Sequence, residues 1–145
     1  MTTHSPWRGF GVILLRLVDV AARYLLTYAT AWLAIGLTAP PEPRAWHVSD
    51  ELQSRTEVVR EHLETGLQLA WWIAAPSVLI IWVFALAGER TGMAFRGRLA
   101  GLLLLPLWFL MFGVAGEMYE LLFLGQAGFA LLLMRVPLIR EHAPR

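Results

Sequence analysis

The sequence predicts an all-α, integral membrane four-helix bundle with both termini in the cytoplasm. Three observations predict it. Four long apolar segments occupy most of the 145 residues, only 16% of residues are charged against 57% hydrophobic, and the arginines alternate from loop to loop. Soluble domains of this size carry about 25% charged residues. A hydrocarbon core about 30 Å thick needs about 20 apolar residues per helix. Four such helices leave no room for a separate soluble unit, so the chain reads as one transmembrane domain.

The first span is expected over 10–38. It is long for one crossing and carries Arg16, Asp19 and Arg23. Two readings stand: a helix whose charged first half lies along the interface, or one tilted helix whose arginines reach the headgroups. Ala39-Pro40-Pro41-Glu42-Pro43 then forbids helix. Residues 39–65 read as a periplasmic segment. Within it, Asp50 as N-cap and Gln53 three residues later start an amphipathic helix. That helix is expected to run directly into the second span, 66–87, which Pro76 kinks. Trp71 and Trp72 stand at its start, where an aromatic belt belongs. A basic loop follows, with Arg90, Arg96 and Arg98. The third span is expected over 99–116, a polar hairpin holds Glu117 and Glu120, and the fourth span covers 120–139.

Orientation comes from arginine placement, because cytoplasmic loops carry the excess of basic residues. The N-terminal region has Arg8, Arg16 and Arg23, and the tail has Arg135, Arg140 and Arg145. Between Arg44 and Glu64 three arginines face five acids, and the last hairpin has acids only. This places the chain, as a multi-pass protein, in a bacterial inner membrane.

Chemistry-bearing patterns are few. Cysteine is absent, which removes thiolate chemistry and cysteine-ligated metals. No phosphate-binding glycine loop, dinucleotide fingerprint, serine-nucleophile elbow or paired-histidine zinc motif occurs. His4, His47, His62 and His142 all lie outside the apolar spans, so no axial haem pair is available. His62 beside Glu61 and Glu64 lacks a second histidine at helical spacing. These features predict no enzyme, no cofactor and no metal. A net charge of +1 gives no basic surface for nucleic acid.

The candidate interaction residues are Arg16, Asp19, Arg23, Thr27, Gly97, Gly101 and Gln126. Arg16, Asp19 and Arg23 share a helix face that Thr27 continues. The stripe reads either as a partner contact or polar pathway lining, or as an interfacial helix whose aspartate offsets an arginine. Charges in the bilayer must pair or reach water. Gln126 is expected to make an interhelical hydrogen bond. Gly97-xxx-Gly101 is a close-packing pattern, read as internal packing or as a contact with another subunit. Glu117 and Glu120 read as a solvated turn or a carboxylate pair.

Glu89-Arg90-Thr91-Gly92, Arg98, Leu105-Pro106 and the basic tail around Arg140 resemble small inner-membrane proteins encoded on integrating conjugative elements. The resemblance covers the last third of the chain. It implies a membrane component associated with a DNA-transfer secretion apparatus and carries over no catalytic residue. The expected function is a non-enzymatic accessory or scaffold subunit. Its partners would be the lipid bilayer and other membrane subunits or copies of itself. A small oligomeric transporter or channel is the alternative.

Overall fold

A computed structural model describes residues 6–41, 53–86, 93–111, 120–132 and 134. Among these the fold is all-α, with five helices and no strand. They are α1 (Pro6–Thr38), α2 (Arg55–Leu69), α3 (Ala74–Leu86), α4 (Met93–Met111) and α5 (Glu120–Leu131).

The chain enters α1 at Pro6, whose fixed backbone angle suits a first helical position. The helix then runs unbroken for 33 residues, about 50 Å at the usual rise per residue. The charged first half is therefore not a separate element. It ends at Thr38, whose hydroxyl donates back to Ala34 O (2.8 Å) just ahead of the prolines.

Helix α2 starts later than its sequence suggests. Its N-cap is Ser54, not Asp50, which lies outside the described residues. Glu57 N–H donates to Ser54 Oγ (3.3 Å) and Ser54 N–H donates to the Glu57 carboxylate (2.9 Å), so two otherwise orphaned donors are satisfied together. Gln53 instead donates to the Glu61 carboxylate (3.0 Å). Removing this reciprocal cap with Ser54→Ala should cost about 1 kcal/mol of unfolding free energy, measurable by denaturant titration.

The expected continuity of α2 with the next helix is also corrected. Residues 70–73 break the helix, and α3 leaves at 57° to α2. Pro76 explains the position. It has no N–H to donate to Trp72 O, and its ring would press on that carbonyl. The backbone upstream widens instead: Ala74 N–H and Ala75 N–H both reach Ala70 O, at 2.8 and 2.9 Å. Pro76 then sits in the first turn of α3, where no intrahelical donor is needed.

Helix α4 begins at Met93, so part of the expected basic loop is helical, and Pro106 lies inside the helix. The end of the third expected span and Glu117 lie outside the described residues, as does the tail beyond Met134.

Contacts between helices form a closed ring: α1 meets α3, α3 meets α4, α4 meets α5, and α5 returns to α1. Cross-links fix the directions. Leu17 O and Trp82 Nε1 pair α1 with α3 (3.0 Å), while Arg23 and Tyr24 meet Met134 and Gln126 across α1 and α5. Rising residue numbers on α1 face falling numbers on α5, and on α3, where Leu17 meets Trp82 and Tyr24 lies by Ser77. Helix α1 thus runs antiparallel to α3 and α5, and α2 packs on the C-terminal half of α1.

The core is built around Tyr24, Ile35, Ile73, Ile81, Leu99, Leu103, Leu107, Leu122 and Phe129, all fully buried. Helix α2 is docked by backbone proximity. Gly36 lies against Val59, and Gly66 lies under the Trp32 ring. Two hydrogen bonds secure it: Tyr28 Oη to Gly66 O (2.7 Å) and Arg55 to Ala39 O.

Among the described residues no single helix is long and apolar enough to cross a membrane. By length and composition one bent pair passes, α2 with α3. The reasons differ by element. Helix α1 has length but carries Arg16, Asp19 and Arg23, while α3 and α5 have 13 and 12 residues, short of about 20.

Candidate functional site in the interior of the bundle

The polar interior is assembled from the inward stripe of α1, one residue of α3 and one of α5. At its base Asp19 and Arg23 form an i,i+4 ion pair at 2.7 Å, both side chains about nine-tenths buried. Arg23 also donates to Met134 O (3.1 Å), just past the end of α5. Arg96, from α4, donates to Leu131 O (3.2 Å). Two guanidinium groups therefore hold carbonyls at the C-terminus of α5, where the helix dipole favours positive charge. Arg16 is exposed, so the stripe does not stay buried along its length.

One turn above the ion pair, Gln126 Nε2 donates to the Tyr24 hydroxyl (2.7 Å). This is an interhelical contact between α1 and α5, fully inside the bundle. Phe129 packs edge-on against Tyr24 with ring centres 5.4 Å apart, and Tyr28 follows at 6.4 Å. Ser77 of α3 is fully buried beside the Tyr24 hydroxyl, outside hydrogen-bonding geometry. Its hydroxyl has no protein partner, so burial costs it solvation without return. Ser77→Ala should therefore leave thermal stability unchanged or raise it by about 1 kcal/mol, against the usual sign of a core substitution.

Thr27 is half-buried and donates to Arg23 O (2.9 Å). It also lines a small cavity between α1 and α5, walled by Tyr24, Tyr28, Ala31, Leu122, Gly125 and Gln126.

Gly97 and Gly101 stand apart from this interior. Both are exposed, and a methyl group added at either would meet nothing within 4 Å. Among the described residues nothing packs closely against either glycine. The close approaches belong to Gly36, Gly66 and Gly125.

Tyr24, which accepts from Gln126, was not singled out from sequence. Its signal was present: Tyr24, Tyr28 and Trp32 recur every four residues as a buried aromatic stripe.

The arrangement can hold helices in register and discriminate against misdocked ones. It brings together no nucleophile with a base. Among the described residues no group of three or more His, Asp or Glu side chains could hold a metal. His62 Nδ1 is engaged with Val58 O (2.8 Å) within its own helix. No protein-family model, curated protein or solved structure matches the chain.

Proposed function

We propose that the chain is a multi-pass membrane protein, acting as a non-enzymatic accessory or scaffold subunit in a bacterial inner-membrane assembly. One observation carries this reading: large apolar side chains cover the outside of a bundle whose interior also holds an ion pair and two polar side chains. The buried set includes Asp19, Arg23, Ser77 and Gln126, while Leu14, Leu26, Val83, Trp108 and Leu124 are each more than half exposed. Soluble monomers rarely present contiguous apolar patches beyond a few hundred Å². In lipid the same surface is satisfied, and the polar groups belong inside.

Two further features support it. Arg16, Arg23, Arg96 and Arg98 gather at one end of the antiparallel ring, and Glu120 starts α5 at the other. Under the positive-inside rule that end is cytoplasmic. Trp71 and Trp72 project at the α2–α3 break, at the opposite end from those arginines, as interfacial tryptophans would. The scaffold role follows from the outward face of α4, where Gly97 and Gly101 leave a shallow strip open to a neighbouring helix. A DNA-transfer apparatus is the assembly that the sequence resemblance suggests.

The test uses the tagged full-length chain in a bacterial host. It should stay in the membrane pellet through alkaline carbonate washing and co-purify with stoichiometric membrane partners after mild solubilisation. Release into the wash would refute the membrane reading. A lone monomer from native membranes would refute the subunit reading.

A transporter is the second reading, favoured by the buried polar column from Asp19 to Gln126. Its members are bonded to one another, however, so any conducting path would have to form between copies. Liposome flux that is absent, or unchanged by Asp19→Asn and Gln126→Leu, would eliminate it.

A further inference from the structure

We infer that the Tyr28 hydroxyl is a cap supplied to α2 from another helix, and that it sets the angle between α2 and α3. Tyr28 is then a positioning residue for the bend, whether or not the chain is a membrane protein.

The hydrogen bonds around the bend carry the inference. An α-helix continuing past Leu69 would have Ala70 N–H donate to Gly66 O, four residues back. Ala70 N–H instead donates to Leu67 O at 3.3 Å, a tighter three-residue turn. Gly66 O accepts from Tyr28 Oη at 2.7 Å. A hydroxyl from α1 thus fills the place of the Ala70 amide. Gly66 and Tyr28 are both buried, so a carbonyl left without a donor there would be costly. Gly66 also explains how the phenol reaches it. With no Cβ in the way, the Trp32 ring lies against the Gly66 backbone and the two helices approach closely.

Pro76 does not account for this turn. A proline disturbs the carbonyl four residues before it, here that of Trp72. Its effect shows in the widening at Ala74 and Ala75, whereas the tightening at 67–70 lies further upstream, beyond reach of the ring. The bend of 57° therefore has two parts, one made by Pro76 and one by Tyr28. Ala70 keeps right-handed helical angles, φ −57° and ψ −35°. A small rotation would return its amide to Gly66 O once the hydroxyl is gone.

The chain has no cysteine, so paired spin labels at Thr56→Cys and Val83→Cys, both exposed positions, report the α2–α3 angle in the full-length protein. Tyr28→Phe removes the hydroxyl and keeps the ring. The label separation, read by double electron–electron resonance, should grow by a few ångströms as the bend relaxes to the part made by Pro76. Amide exchange at Ala70, followed by NMR, should slow severalfold as its bond to Gly66 O forms. A hydroxyl that only docked α2 would do the opposite, because exchange at Ala70 would quicken as the helix loosened. That result overturns the inference, and so does an unchanged separation. Should Tyr28→Phe lose its helical circular dichroism, Ala70→Pro decides. Its φ suits proline and its amide makes no α-helical bond, so the labels should keep the separation of the otherwise unsubstituted chain. A shifted separation there overturns the inference.

Discussion

Asp19→Ala should destabilise the protein by about 3–5 kcal/mol, a large part of any small protein's stability. The partner it leaves behind is the reason. Arg23 is about nine-tenths buried and cannot reach bulk water from its place on α1. Without Asp19 its charge remains inside the bundle, held to Met134 O but deprived of the Asp19 carboxylate. Burying a charge is far costlier than burying a neutral group of the same shape. The double variant Asp19→Ala/Arg23→Met should therefore recover much of the loss, since it also removes the buried charge that Asp19 had offset. Reversible unfolding in mixed detergent micelles, read by circular dichroism, measures all three proteins. A double variant no more stable than Asp19→Ala would show that the pair matters through something other than charge balance.

Gly66→Ala should cost about 1–3 kcal/mol or more and loosen α2 from α1. A Cβ at this position would lie 2.5–2.8 Å from three atoms at the near end of the Trp32 indole. Trp32 is itself 4% exposed, and Tyr28 packs edge-on against it with ring centres 6.3 Å apart. The ring cannot swing aside, so the helices must separate. Separation would stretch the Tyr28–Gly66 hydrogen bond as well. Gly101→Ala is the matched control. It meets nothing, and replacing a mid-helix glycine should stabilise by about 0.5–1 kcal/mol. Protease accessibility around residues 53–69, compared between the two variants, separates local undocking from global loss of stability.

Helix identities were legible in the sequence, but the inward faces were not. On α4 the buried residues Leu99, Leu103 and Leu107 and the exposed Leu102 and Leu105 are all leucine. With apolar side chains all round, periodicity carries no directional signal. The Gly97-xxx-Gly101 pattern could therefore be recognised without revealing which way it faced. The start of α2 failed for a different reason. Asp50-x-x-Gln53 and Ser54-x-x-Glu57 are two adjacent starts, and a local pattern cannot rank them. The second prevails with a Glu57 side chain that reaches back to the Ser54 N–H. Asp19 and Arg23 stood out because charges are rare in apolar runs, yet their burial depended on α5, more than 100 residues away. Gln126 was identifiable by the same rarity, whereas its partner Tyr24 looked like one aromatic among many.

The ring closes between its first and last helices. Of the five described helices these are also the first and the last to be made, so α1 must wait for the three between them before α5 exists. Throughout that interval the Asp19–Arg23 pair and the Tyr24 hydroxyl line an unfilled slot between α1 and α4. When α5 arrives it must match carbonyl to guanidinium and amide to phenol at once, which makes it the keystone of assembly. A nascent chain halted before residue 120 would therefore remain a substrate for chaperones and proteases, however well its earlier helices had formed.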